Sequence, residues 1–289
     1  MRKSIFDIVS QKVDMASETS RIVSMATEEK VLAIDSHKYY TLFDFIDEYV
    51  FKYWQNRGHF LDVDDFIEAL DFENLQHLAT EYNNVDALIT IIELIYNFWV
   101  LSNKKFFEEG RRYSLQWCGN YYHLKDVIDD LLGQYNHTAY IDKKNDRVLV
   151  IEDKGEITAV AEIMETDSLA LDVIKYNHRT LKGEVELKKK ILLDLAAELE
   201  PKRKELRSIN STLEDNIFFM LNNLNIRHNN RSKKDKNYRE YVAKMRKDRL
   251  EKWYDELYQM ILLAFLLLGN VERADTVKEL KAKIIGGQA

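Results

Sequence analysis

Val85-Asp86-Ala87-Leu88-Ile89-Thr90-Ile91-Ile92-Glu93-Leu94-Ile95-Tyr96-Asn97-Phe98-Trp99-Val100-Leu101 is the stretch that decides the fold class. Leu88, Ile91, Ile92, Ile95, Trp99 and Val100 recur at spacings of three and four, the period of a helix face. The apolar positions spread beyond one narrow stripe, so the spacing predicts a helix buried on most of its sides. Around it the chain is sparsely punctuated, with one proline, Pro201, and nine glycines in 289 residues. Proline and glycine end or break regular elements, so their scarcity fits long helices joined by short loops and argues against a many-stranded β protein. A hydrophobic content of 46% is enough for a sizeable core. The expectation is a mainly α protein, a multi-helix bundle with a small β-hairpin insert near the middle.

Towards the N-terminus, Leu42, Phe45, Ile46, Tyr49, Val50, Tyr53 and Trp54 mark a helix over Thr41 to Asn56, ended at Gly58. Ile5 to Leu32 carries a weaker helical pattern. Asp62 or Asp64 is placed to cap a short helix through Leu70. Residues 1–135 thus read as an acidic, aromatic-rich helical part. Tyr121 to Leu132 predicts a helix stopped at Gly133. Thr138 to Ile141 and Arg147 to Ile151 are β-prone runs around the polar Asp142 to Asp146, which predicts a hairpin. The insert spans 136–165, with Ile157 to Ile163 open between a third strand and a helix start.

Residues 166–289 read as a basic antiparallel helical bundle. Leu187, Ile191, Leu195 and Leu199 form a stripe with Leu192, and Lys188, Lys189 and Lys190 fall largely on the other side. Pro201 would kink or break this helix unless it opens a new one, where its missing N–H is harmless. Ser211-Thr212-Leu213-Glu214 has the spacing of a capping box that launches a helix up to Arg227. Tyr238 to Leu268 predicts a last long helix, stopped at Gly269-Asn270 and followed by a short amphipathic tail from Val277 to Ile285.

Charge is polarised along the chain. No lysine or arginine lies between Arg57 and Lys104, where nine acids stand, whereas Arg227 to Lys252 holds eleven basic residues against four acidic ones. Either the basic part meets an anionic partner such as nucleic acid, or acidic and basic parts face each other within a chain or across a dimer. The single cysteine, Cys118, excludes an internal disulfide and a cysteine-rich zinc site, and reads as a buried thiol of a cytoplasmic protein. Met1 to Asp7 lacks the apolar segment of a signal peptide. The apolar run Met260 to Leu268 is too short to span a bilayer and reads as a buried helix. No histidine pattern, glycine loop or nucleophile elbow indicates a metal, cofactor or ordinary hydrolase site. Asp62, Asp64 and Asp65 read as caps, and Asp142 to Asp146 as a turn, not a calcium loop.

The densest set of polar donors is Asn222-Asn223-Leu224-Asn225-Ile226-Arg227-His228-Asn229-Asn230, followed by Arg231, Lys233 and Lys234. Arginine offers a planar fork for phosphate and histidine exchanges protons near neutrality, the equipment of a metal-free ribonuclease. Arg227 followed by His228 at a helix junction resembles the first half of the motif of the helical HEPN nucleases. Where that motif places its histidine, four to six residues on, this chain has Arg231, Ser232 and Lys233. The resemblance implies a metal-independent RNase of the toxin or phage-defence class, with Arg227 on the scissile phosphate, His228 as acid/base, and Asn222, Asn229 and Asn230 orienting the substrate. The segment also reads as a polar helix end, or as the recognition site of an interaction or regulatory protein of bacterial or phage-related kind that self-associates or binds a protein partner. A third reading is non-catalytic nucleic-acid binding by the basic helix 231–252, with Lys233, Lys234, Arg239 and the interleaved Tyr238 and Tyr241. The excess of aromatics over Tyr39 to Trp54 further leaves room for a dimer or partner groove.

Overall fold

A computed structural model describes residues 14–34, 37–109, 115–142, 144–164 and 166–286. The chain divides into two compact units, Met1–Glu152 and Asp153–Ala289. The predicted character holds: the protein is mainly α, with two small sheets. Of the expected N-terminal helix over Ile5 to Leu32, residues 1–13 lie outside the described residues. Helix α1 spans Met15–Thr27, capped by Asp14.

In the first unit, Leu32 belongs not to that helix but to a strand. β1 (Leu32–Ile34) pairs antiparallel with β2 (Lys38–Tyr40) and with β3 (Leu115–Trp117), in the order β2-β1-β3. The predicted helix over Thr41 to Asn56 is broken into pieces. α2 (Leu42–Phe45) runs into a π-helical turn over Ile46–Val50 and 3₁₀ turns over Phe51–Tyr53 and Gln55–Arg57. This winding keeps Phe45, Ile46, Val50, Phe51 and Trp54 buried while leaving Tyr53 exposed. Asp62 caps α3 (Val63–Ala69), its carboxylate accepting from the Asp65 N–H at 2.8 Å, as its position predicts. α4 (Phe72–Glu81) follows and packs on α1.

α5, Val85–Glu109, is the centre of this unit. Leu88, Ile91, Ile92, Ile95 and Phe98 are fully buried. Val85–Lys105 is long and apolar enough to cross a membrane, but 67% of its most apolar window is buried inside the protein, which marks a core helix. α6 (Tyr121–Gln134) runs through Gly133, the predicted stop, and the turn falls at Asn136, which takes a left-handed φ of 56°. The predicted hairpin forms between β4 (His137–Asp142) and β5 (Arg147–Glu152), with Asp142 opposite Arg147. The Asp142 carboxylate holds the turn through the Asn145 N–H (3.2 Å), Asn145 Nδ2 (2.8 Å) and Arg147 Nε (2.9 Å). Burial raises its pKa, and these donors more than reverse that, leaving it below the ordinary carboxylate value.

Two polar side chains on the buried face of α5 dock β5. The Val148 N–H donates to Asn97 Oδ1 (2.7 Å), Asn97 Nδ2 donates to the Val148 carbonyl (3.0 Å), and the Val150 N–H donates to Glu93 Oε2 (2.7 Å). The helix side chains act as a short substitute strand for backbone groups that would otherwise be buried without partners.

The second unit begins with α7, Gly155–Ile163, which settles that ambiguous segment as helix. α8 (Asp167–Tyr176) and α9 (Val185–Leu199) pack together, and α7 and α9 each pack on the long α13 (Lys247–Gly286). On α9 the stripe is shifted from its predicted position. Ile191, Leu192, Leu195 and Leu199 are buried, but Leu187 is 51% exposed, and Lys188, placed by its spacing on the outer side, is 6% exposed. Its ammonium is met by Glu251 (2.8 Å) and Asp255 (2.7 Å), and lies 5.2 Å from the Tyr176 ring centroid. A buried charge needs such partners, and they stand on α13, more than sixty residues away in sequence. Pro201 opens a 3₁₀ turn that continues into α10 (Arg203–Ile209).

α11 (Ser211–Asn223) is capped by Asn210, not by the predicted Ser211 box: Asn210 Oδ1 accepts the Leu213 N–H at 3.0 Å. Glu214 turns inward instead, fully buried, and binds Arg203 Nε (2.5 Å) and Arg207 Nε (2.7 Å). The box geometry occurs at Thr41 and Asp44. The predicted helix from Tyr238 is also corrected. A single turn, α12 (Glu240–Ala243), precedes α13, which passes through Gly269 and Asn270 without stopping. Glycine costs a helix interior about 1 kcal/mol relative to alanine, too little to end a helix already anchored by buried Tyr258, Ile261 and Phe265. The predicted tail is the end of this same helix, with Leu280 and Ile284 exposed.

Replacing Asn97 by leucine removes the partners of both Val148 backbone groups. The expected loss is about 2 kcal/mol or more in urea unfolding. Faster amide exchange at Val148 should accompany it, and an unchanged unfolding midpoint would contradict the docking role.

Candidate functional site

Residues 224–239 between α11 and α12 form a long irregular loop in which each backbone polar group needs an individual partner. Asn225 takes a left-handed φ of 62°, which asparagine tolerates better than most residues, and turns the chain out of α11. Asn230 is fully buried. Its Oδ1 accepts the Asn225 N–H (2.7 Å), its Nδ2 donates to the Asn237 carbonyl (2.8 Å), and its own carbonyl accepts the Arg239 N–H (2.8 Å). One side chain thus ties the start of the loop to its end. Ile226 is buried beneath it, and the buried Tyr254 hydroxyl donates to the Leu224 carbonyl at 3.1 Å. Burial raises the pKa of that phenol, so it stays a neutral donor.

The remaining predicted residues divide between structural roles and exposure. Asn229 Oδ1 accepts the Arg231 (3.3 Å) and Ser232 (3.1 Å) N–H groups, an Asx-type turn. Arg231 Nη2 donates to the Met245 carbonyl at 3.2 Å, next to the end of α12. Arg227 pairs with Glu200, and its guanidinium lies 5.2 Å from the Phe218 ring centroid, where Arg203 also stacks at 4.1 Å. Glu214 completes this cluster. Burial raises its pKa, and the two arginines more than reverse that, holding it below the ordinary value. His228 is exposed, and among the described residues its ring has no hydrogen bond. Asn222 is half-buried on the last turn of α11, and Lys233 and Lys234 are exposed on the loop. The structure therefore brings Arg227 to Glu200 and Phe218, and it engages Asn229 and Asn230 in holding the loop.

A different set of side chains converges where α11, α12 and α13 meet. Phe219, Asn223, Arg239, Tyr241, Met245 and Trp253 are among those lining a groove of about 480 Å3, floored by Met220, Leu224 and Val242. Three of its aromatics stand in water: Phe219 is 63% exposed, Tyr241 62% and Trp253 39%. A second cavity of about 670 Å3 adjoins it, lined by Tyr241, Lys244, Met245, Arg246, Asp248 and Arg249 together with Glu240. Tyr241 and Met245 belong to both. Arg239 Nε donates to Asn223 Oδ1 at 3.1 Å, and the Arg249 guanidinium lies 5.7 Å from the Tyr241 ring centroid. Lys244 pairs with Glu240 (2.5 Å) and Arg246 with Asp248 (3.1 Å), both exposed pairs of the kind that contribute under about 1 kcal/mol.

The charge and the interleaved Tyr238 and Tyr241 mark this region in the sequence. The contributions of Phe219 and Trp253 do not show there, because only packing brings these residues of α11 and α13 beside α12. Among the described residues no group of three His, Cys, Asp or Glu side chains is placed to hold a metal ion. No protein-family model, curated protein or solved structure matches this chain.

Asn230→Ala leaves the part-buried Asn225 N–H and Asn237 carbonyl without their partner at once, and should lower stability by about 2 kcal/mol. Asn229→Ala exposes its donors to water and should cost under about 1 kcal/mol. Urea unfolding of the two variants separates them, and equal midpoints would refute the assignment.

Proposed function

We propose that this chain is a binding protein that takes a polyanionic partner at the α11–α13 corner and works by recognition, not by catalysis. One observation carries the reading: exposed aromatics and the cations Arg239, Lys244, Arg246 and Arg249 share two adjoining cavities on a chain whose net charge is −7. In an acidic protein, a local basic surface steers anions to one place. The cations' own partners are weak exposed carboxylates, an amide or a ring, so a phosphate or sulfate chain displaces them at low cost.

Arg227 and His228 support a catalytic role less well. The Arg227 guanidinium pairs with Glu200 beside the Phe218 ring, and the Asn229 and Asn230 side-chain oxygens accept N–H groups of the loop. The polar junction supports the partner site by holding the loop that leads into α12. A cytoplasmic setting and self-association belong to the same proposal as its background.

The test is retention on a heparin column. Lys244→Glu/Arg246→Glu/Arg249→Glu should abolish retention. Lys278→Glu/Lys281→Glu/Lys283→Glu, an equal change of charge at the far end of α13, should preserve it. Equal loss in both, or no retention of the wild type, would overturn the proposal.

A further inference from the structure

We propose that the ligand of this corner is a single-stranded nucleic acid, with a base in the aromatic groove and its flanking phosphates on the adjoining cations. This rests on the polyanion reading and goes beyond it by naming the ligand.

The two cavities differ in chemistry in the way a nucleotide does. The one lined by Phe219, Tyr241 and Trp253 has a floor of Met220, Leu224 and Val242, and its volume of about 480 Å3 suits a small planar group. The other presents Lys244, Arg246 and Arg249. A polyanion without aromatic rings, such as a sulfated sugar chain or an inorganic phosphate polymer, would use the second and leave the first wet. A duplex offers its phosphates but keeps its bases stacked inside, so it too would leave the aromatic groove empty. A single strand alternates base and phosphate at each nucleotide, and its bases are free to stack on aromatic side chains.

Tyr241 is the hinge of this assignment, since it lines both cavities and already carries Arg249 against its ring. With the Arg249 guanidinium over its ring, Tyr241 offers a stacking surface that reads no particular base, because every base has a π face. Arg239, held by Asn223 at the edge of the aromatic groove, is placed for the phosphate on the other side of the seated base. The expected specificity is therefore for strandedness, not sequence, with affinity falling as salt rises.

The test uses the full chain and two fluorescein-labelled probes, a 12-residue oligouridylate and a duplex of equal length, followed by anisotropy. Wild type should bind the single strand at least about tenfold more tightly than the duplex. Tyr241→Ala should weaken single-strand binding by about tenfold, and Tyr241→Phe should restore it. Because Tyr241 is exposed, circular dichroism of the alanine variant should match wild type, which separates lost binding from lost folding. Retention on heparin combined with equal binding of duplex and single strand would overturn this inference and leave the polyanion reading standing. So would an indifferent Tyr241→Ala, or displacement of the oligouridylate by a labelled oligoglutamate at lower concentration. Absence of binding to heparin and to both probes would overturn the two together.

Discussion

The buried carboxamide of Asn230 is the interaction on which the candidate site depends. Between Asn223 and Glu240 the chain has no regular structure to pair its backbone, yet Ile226 and Asn230 lie inside. A loop can run through a protein interior only if its polar groups find partners there. Asn230 supplies them at both ends of the segment, and Tyr254 anchors its start to α13. The result sets α12 against the ends of α11 and α13, and so brings Phe219, Tyr241 and Trp253 to one groove.

The same economy of polar groups recurs elsewhere. Asn97 and Glu93 serve the hairpin in the first unit, and the buried Lys188 is met by Glu251, the half-exposed Asp255 and the Tyr176 ring in the second. Burial raises the pKa of Glu251, and Lys188 with the Gly183 N–H more than reverses it, so the glutamate stays below its ordinary value. Removing the partners of Lys188 would leave an unpaired charge inside, which is why that set ties α9 to α13.

Periodicity made the helices legible, above all α5, whose apolar positions cover most of its surface. Two β-prone runs around an Asx-rich turn made the β4–β5 hairpin legible too. The three-residue strands of the other sheet were not, because three residues carry no period and pair only through contacts distant in sequence. Lys188 was misplaced because its burial depends on acids on α13. The capping box at Ser211 failed because Glu214 had stronger partners in Arg203 and Arg207. At the junction, composition marked where polar chemistry is concentrated but not its use. Asn229 and Asn230 are adjacent and chemically identical, yet one forms an exposed turn and the other ties the loop together. The groove was half legible: its cations and Tyr241 are neighbours in sequence, while Phe219 and Trp253 arrive through packing.

The measurement that tests this account most directly is photochemical crosslinking of an oligouridylate to the wild-type protein, with the modified residue located by mass spectrometry. The account predicts adducts on Tyr241, Trp253 or Phe219. Adducts concentrated on Arg227 to Asn230 would contradict it and return the polar junction to the centre of the function.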